Sequence, residues 1–221
     1  MIELKNVTFG YKKKENVLTN VSFKIKKGEC WGILGHNGAG KTTLSYLIIN
    51  LLSPKSGEIK NNSRNSDYLS EFGGFYSNLT VLQNFQFKKS LDKNHLDENI
   101  DSVIKKIGLS KYKNELASRL SQGLKKRLAI GLIIISDRDL IYLDEPTNGL
   151  DPEIQKFLKN YLLELRKKGK TILINSHDIN FISDVSTNIL ILNHGEVVYN
   201  DQTNKSYIEE IYFEKVGVYS E

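Results

Sequence analysis

Apolar and polar residues alternate from Ile2, and Phe9-Gly10-Tyr11 turns the segment Ile2–Lys14. Val17–Lys26 alternates again, with Val21, Phe23 and Ile25 on one face, before a turn at Lys27-Gly28-Glu29. Cys30–Leu34 is apolar on both faces, as a central strand requires. Residues 57–69 read as a strand, a polar turn and a second short strand. Leu140–Leu143 and Thr171–Ile174 read as further strands, and Ile189–Leu192 with Glu196–Tyr199 as a hairpin around Asn193-His194-Gly195. Helices are predicted from Lys41 to about Leu52, over 97–116, from Ser121 to about Ile135, over Pro152–Lys168 and over Tyr207–Val216. The fourth is amphipathic, with Ile154, Phe157, Leu158, Tyr161, Leu162 and Leu165 on one face, Pro152 in its first turn and Gly169 as its cap. Residues 72–91 are aromatic-rich, with a flexible Gly73-Gly74 near their start, and receive no element. The order of elements predicts an α/β domain with a largely parallel sheet.

Composition narrows this picture. A chain of 221 residues can bury a sizeable core, and one domain is the simpler reading. The single cysteine, Cys30, excludes an internal disulfide framework and reads as core. No secretory signal precedes the first strand. The longest apolar run, Leu128–Ile135, is far short of the roughly 20 residues of a membrane span, so a soluble chain is expected. The net charge is +5, but the basic residues are dispersed, with short clusters at 12–14, 125–127 and 166–168. They read as solvated faces, and no nucleic-acid partner is expected.

Chemistry enters at Gly35-His36-Asn37-Gly38-Ala39-Gly40-Lys41-Thr42-Thr43, which fits G-x-x-x-x-G-K-[ST] between an apolar strand and a helix. The glycines let backbone N–H groups approach anionic oxygens, and the helix N-terminus adds its dipole. Lys41 supplies a charge for terminal phosphates and Thr42 a hydroxyl for Mg²⁺. Downstream, a buried strand delivers Asp144 near the same phosphates. Glu145 follows, pointing differently, able to orient or deprotonate an attacking water. On these residues alone a kinase or GTPase fits nearly as well.

Leu120-Ser121-Gln122-Gly123-Leu124 opens a second helix with a hydroxyl and free N–H groups, another anion receptor. One nucleotide has no evident need of two. Two copies packed head to tail would each close over phosphates held by the other.

With Ser121-Gln122-Gly123, Asp144-Glu145-Pro146-Thr147 and Gly149-Leu150-Asp151-Pro152 in this order, the chain resembles the ATP-binding cassette (ABC) ATPases over nearly its whole length. The resemblance implies a P-loop NTPase core with a mainly parallel sheet, an N-terminal antiparallel β subdomain and a small helical signature subdomain. It implies one domain over 1–221, with the core and β subdomain at about 1–70 and 137–221 and the helical part at about 72–136. The implied cofactors are ATP and Mg²⁺. Tyr11 is implied to stack on adenine, and Gly35, Asn37, Gly38, Ala39, Gly40, Lys41, Thr42 and Thr43 to cradle the phosphates. Ser121 and Gly123 belong to the signature loop, Asp151 to the loop that links two sites, and Glu145 and His177 to catalysis. Thr42 and Asp144, with Glu71, are implied to serve the metal. His36, His95 and His194 read as loop residues.

Two departures stand out. Gln122 and Leu124 alter the usual Leu-Ser-Gly-Gly-Gln, while Ser121 and Gly123 are kept. Glu71 stands where the family offers a glutamine; a carboxylate can ligate Mg²⁺ or its water, and members serving export-type permeases often show it. Phe72, Phe75, Tyr76, Phe85 and Phe87 border the place where the family receives a helix of a membrane subunit, although for most of them core packing is the expected role. The expected partners are transmembrane permease subunits and a second ATPase subunit, identical or not. The chain is expected on the cytoplasmic face, meeting the membrane only through the permease. The pattern of residues 120–128 and 147–152, and a chain ending one helix after its last strand, resemble subunits of export (ABC-2) permeases. The alternative is a soluble, non-transport ABC ATPase acting as an assembly factor.

Overall fold

The computed structural model of the protein describes residues 1–63, 66–70, 73–91, 99–136, 138–203 and 206–217. β1 (Ile2–Phe9), β2 (Leu18–Ile25) and β4 (Ser56–Asn61) form an antiparallel sheet in the order β2-β1-β4. The second sheet has the order β5-β6-β7-β3-β8-β9, built from β3 (Cys30–Leu34), β5 (Ser66–Leu69), β6 (Leu140–Asp144), β7 (Thr171–Asn175), β8 (Asn188–Asn193) and β9 (Glu196–Gln202). All its pairings are parallel except β8 with β9. The predicted α/β class with a largely parallel sheet is the class observed.

The parallel strands are buried on both faces because each face meets a different cluster of apolar side chains. Cys30, Ile141, Leu143, Ile172, Ile174, Ile189 and Ile191 pack into one cluster. The alternating residues Trp31, Ile33, Leu140, Tyr142, Leu173, Leu190 and Leu192 pack into the other, together with the antiparallel sheet and α1 (Lys41–Ile48). The first cluster takes α2 (Val81–Ser90), α3 (Ile100–Lys106), α4 (Gln122–Ile134), α5 (Pro152–Lys167) and α6 (Ile179–Val185). α7 (Ile208–Val216) follows the last strand and adds Ile208. Burial pushes the Cys30 thiol up to about 12, as its core position demands.

Several elements differ from their predicted bounds. α1 stops at Ile48, four residues before the predicted end. Asn50 takes φ 60°, and the N–H groups of Leu51 and Asn50 return to the carbonyls of Tyr46 and Leu47, which closes the helix. The predicted helix over 97–116 is shorter: α3 ends ahead of Gly108 (φ 70°), and a 3₁₀ turn over Ser110–Tyr112 follows; 97 and 98 lie outside the described residues. α2 arises in the aromatic stretch that received no element. Thr80 and Gln83 form a reciprocal capping box there, with Thr80 N–H donating to Gln83 Oε1 at 2.9 Å and Gln83 N–H to Thr80 Oγ1 at 3.1 Å. α6 was also unread, although Asp178 caps it by accepting from Phe181 N–H at 2.9 Å. The hairpin β8–β9 turns at His194 (φ 47°) and Gly195 (φ 80°), as a two-residue primed turn requires.

The aromatic residues divide. Phe85 is fully buried, Phe75 packs partly buried against the same cluster, and Tyr76 and Phe87 are exposed with their rings edge-on at 4.9 Å. Phe72 lies outside the described residues. Phe85→Ala should therefore lower unfolding stability by about 3–5 kcal/mol, whereas Phe87→Ala should stay within about 0.5 kcal/mol of wild type. Urea unfolding checks this, and equal losses would contradict the division.

Candidate functional site

β3, β6 and β7 end side by side, which brings their carboxyl-end loops together, the usual ligand position in an open parallel sheet. β3 runs into residues 35–40, which wrap around the start of α1. Gly38 (φ 85°) and Gly40 (φ 104°) take backbone conformations that favour glycine, and Gly40 stands at the helix N-cap without a capping side chain. The first N–H groups of α1 are therefore directed at the cleft, with the positive end of its dipole. Lys41 folds back over this loop, its Nζ donating to the Gly35 carbonyl at 2.7 Å and the His36 carbonyl at 3.2 Å. Asn37, Gly38, Gly40, Lys41, Thr42, Thr43, Asp144 and Glu145 line one open cleft; Ala39 is buried beneath the loop.

The second strand brings Asp144, buried and multiply hydrogen-bonded. Thr42 Oγ1 and the Tyr68 hydroxyl each donate to its Oδ2 at 3.1 Å, and Asn175 Nδ2 donates to its Oδ1 at 3.1 Å. Asn175 Nδ2 also reaches Ser45 Oγ at 3.1 Å, tying β7 to α1. Burial, and then the Asp144 charge, push the Tyr68 hydroxyl well above the ordinary tyrosine range, so it stays a donor. The Thr42 hydroxyl and the Asp144 carboxylate are hard oxygen groups at hydrogen-bond distance, a donor set that suits Mg²⁺ held jointly with phosphate oxygens. Glu71, expected to serve the metal, lies outside the described residues.

Glu145 leaves β6 with φ 45°, a conformation that costs a non-glycine residue about 1–3 kcal/mol. Its N–H donates to the Asn175 carbonyl at 2.9 Å, and its carbonyl accepts from Lys126 Nζ at 2.9 Å. The carboxylate turns toward the end of β7. There Oε2 lies 2.9 Å from His177 Nδ1 and 3.3 Å from Ser176 Oγ. His177 is 66% exposed and Glu145 only 12%, so the imidazole stands at the mouth with the carboxylate behind it. Tyr11 is 63% exposed, its ring edge-on to Phe9 at 5.1 Å and its hydroxyl 3.2 Å from Thr43 Oγ1.

The structure thus brings residues of the phosphate loop, Asp144 and Glu145 around one cleft; Gly35, His36 and His177 line a second cavity that shares Asn37 and Glu145 with it, and Tyr11 reaches the first through Thr43. Ser121, Gly123 and Asp151 are set apart from both. Ser121 caps α4, accepting from Leu124 N–H at 3.4 Å, and remains exposed. Asp151 caps α5, accepting from Ile154 N–H at 3.1 Å, and pairs with Arg127. Sequence reasoning missed Tyr68, Asn175, Ser45 and Lys126. Asn175 had a signal, the polar residue closing an apolar strand. Tyr68 had none, because its approach to Asp144 depends on the β5–β6 register, Tyr68 opposite Tyr142.

A phosphate-cradling loop at the end of a central parallel strand, with a carboxylate delivered from another strand end, defines a P-loop nucleotide-binding protein. Residues 18–148 match the family model described as ABC transporter, and the chain belongs to that family. It is an ATP-binding subunit whose activity is ATP hydrolysis. The energy-coupling factor transporter ATP-binding protein EcfA of Methanothermobacter thermautotrophicus is 32% identical over 216 residues, spanning 90% of this chain and 70% of that protein. The ABC transporter ATP-binding protein NatA of Bacillus subtilis is 30% identical over 214 residues, spanning 90% and 87%. Among solved structures, a dimeric ATP-binding cassette in a post-hydrolysis state bound to ADP and Pi superposes with TM-score 0.79 at 26% identity, covering 92% of this chain and 99% of that one.

The Ile154 N–H, followed by the Arg127 guanidinium, holds the Asp151 carboxyl below its usual range. A carboxylate depressed in the folded state stabilises fully above its unfolded pKa of about 3.9, and that contribution is lost as pH falls through the lower folded value. Urea unfolding should show Asp151→Ala less stable than wild type at neutral pH, with the gap narrowing below about pH 4. A gap independent of pH would contradict this role for the carboxylate.

Proposed function

We propose that two cassettes close head to tail around two ATP–Mg²⁺ and that this closure drives transmembrane permease subunits. One observation supports the reading: the chain exposes two separate helix N-termini, each of which we read as an anion receptor. The first is the cleft at α1. The second is the N-terminus of α4, where Ser121 and Gln122 are exposed and Gly123 half-buried. Residue 121 lies outside the set of residues that line the first cleft. A receptor that cannot serve its own chain's nucleotide suits phosphates held by a partner. The dimeric cassette to which this fold is similar supports the pairing.

In this reading Tyr11 stacks on adenine, and Gly35, Asn37, Gly38, Ala39, Gly40, Lys41, Thr42 and Thr43 hold the phosphates. Thr42, Asp144 and Glu71 hold the metal, which when bound offsets phosphate charge. Glu145 is the general base, and His177 fixes its carboxylate and faces the terminal phosphate. Ser121 and Gly123 cover the partner's nucleotide, and Asp151 stands in the segment between the two sites. Catalysis is mainly positioning and charge stabilisation. Differential binding of ATP to the closed state supplies the shift toward closure.

The chain forms a single cassette over 1–221, with the helical part at about 72–136 facing the permease. Exposed Tyr76 and Phe87 offer an apolar edge there. Among the described residues no helix is long and apolar enough to cross a membrane. In this reading the chain sits on the cytoplasmic face through its permease. We assign export, on the pattern of residues 120–128 and 147–152; the substrate class is a drug, peptide, lipid or polysaccharide.

The Glu145→Gln variant should hydrolyse ATP at least about 10²-fold more slowly. It should dimerise in ATP–Mg²⁺ by light scattering, and Ser121→Arg should abolish that dimer. A Glu145→Gln dimer that survives Ser121→Arg would overturn the shared site. Isolation from membranes without any multi-span permease would favour a soluble assembly factor instead.

A further inference from the structure

Lys126 lies in α4, away from the residues that line the phosphate cleft, yet only 7% of it is exposed. A lysine is rarely this buried unless its ammonium group is engaged. Its Nζ donates to the carbonyl of Glu145 at 2.9 Å. Glu145 is the residue at the site with a left-handed backbone and a side chain, φ 45°. Such a conformation persists only where its surroundings over-determine it. The N–H side is tied to the Asn175 carbonyl and the carboxylate to His177 Nδ1; on the carbonyl side Lys126 Nζ at 2.9 Å joins the Asn148 N–H, which donates from 3.3 Å.

The contact is not isolated. α4 braces the segment 145–151 at two further points. Arg127 pairs with the Asp151 carboxylate. Gly123 passes under Gly149 so closely that an added Cβ would stand 3.2 Å from the Gly149 carbonyl oxygen. The helix that begins with Ser121 is thus fastened directly to the segment that begins with Glu145.

We propose that Lys126 is a positioning residue for hydrolysis, holding the Glu145 backbone so that its carboxylate faces the cleft. This rests on the reading of Glu145 as general base. Without the ammonium group, the Glu145 carbonyl keeps the longer Asn148 contact, the peptide between Glu145 and Pro146 is held less firmly, and the carboxylate loses its bearing on the attacking water. The same contact gives α4 a route to the carboxylate. Movement of the Ser121 end is carried roughly one and a half helical turns along α4 to the Glu145 carbonyl.

The test compares full-length wild type, Lys126→Met, Lys126→Arg and Glu145→Gln. Three quantities are read: kcat, affinity for a fluorescent ATP analogue, and amide hydrogen exchange. Lys126→Met keeps an apolar stem and removes the donor. Its kcat should fall about tenfold or more, since small misplacements of a reacting group are costly. Its nucleotide affinity should stay within about twofold, the pattern of a group that acts only in the reacting state. Exchange should rise over 145–150 and stay unchanged over 35–43, and Lys126→Arg should recover part of the rate. Unchanged exchange over 145–150 would overturn the proposal, as would affinity falling in step with kcat. Faster exchange with a wild-type rate would overturn it too, because the Glu145 backbone would then not matter to hydrolysis. Wild-type turnover in Glu145→Gln would instead remove the reading of Glu145 itself.

Discussion

β3, β6 and β7 are covered on both faces by apolar side chains, so the site's polar groups gather where these strands end. Asp144 and Asn175 are the last residues of β6 and β7, directly paired in register. Asn175 spends its amide on Asp144 and on Ser45 of α1. Together with the Ser45–Tyr142 hydrogen bond, that side chain ties the Asp144 carboxylate to the helix whose N-terminus is directed at the cleft. The rest of the site follows from this pin. Thr42 meets Asp144 because α1 is held there, and Glu145 turns away because the next residue must leave the sheet.

The turn at Glu145 has a physical cost, and the neighbouring structure offsets it. Its N–H and carbonyl are both hydrogen-bonded, and its carboxylate is met by Ser176 and His177 at the end of β7. Rigidity here matters because catalysis of this kind depends on groups already in place before the charge develops. The P-loop is different in kind. Lys41 bonds to backbone carbonyls of its own loop. In the proposed reading phosphate oxygens compete for that ammonium group, and the exchange of partners would make binding responsive to charge.

What the sequence disclosed depended on whether the signal was local. The phosphate loop was legible because its glycines, lysine and threonines are contiguous. Asp144 was legible because an apolar run ends in an acid. α5 was legible from its one-sided apolar pattern, Pro152 and Gly169. α2 was not, because the buried Asn84 interrupts its apolar face, although the Thr80–Gln83 capping box was there to be read. The predicted helix over 97–116 overlooked Gly108, whose φ of 70° ends α3. Tyr68, Ser45 and Lys126 were out of reach for another reason. Each matters through a partner 19 to 130 residues away, and no periodicity encodes that distance.

The central claim is that Asp144, set by the strand ends beside Thr42, holds the metal that accompanies the nucleotide. Calorimetric titration of ATP, with and without Mg²⁺, into wild type and Asp144→Asn tests it most directly. The account predicts that Mg²⁺ strengthens binding in wild type and that this gain disappears in Asp144→Asn, with folding intact by circular dichroism. An equal Mg²⁺ gain in both proteins would contradict it.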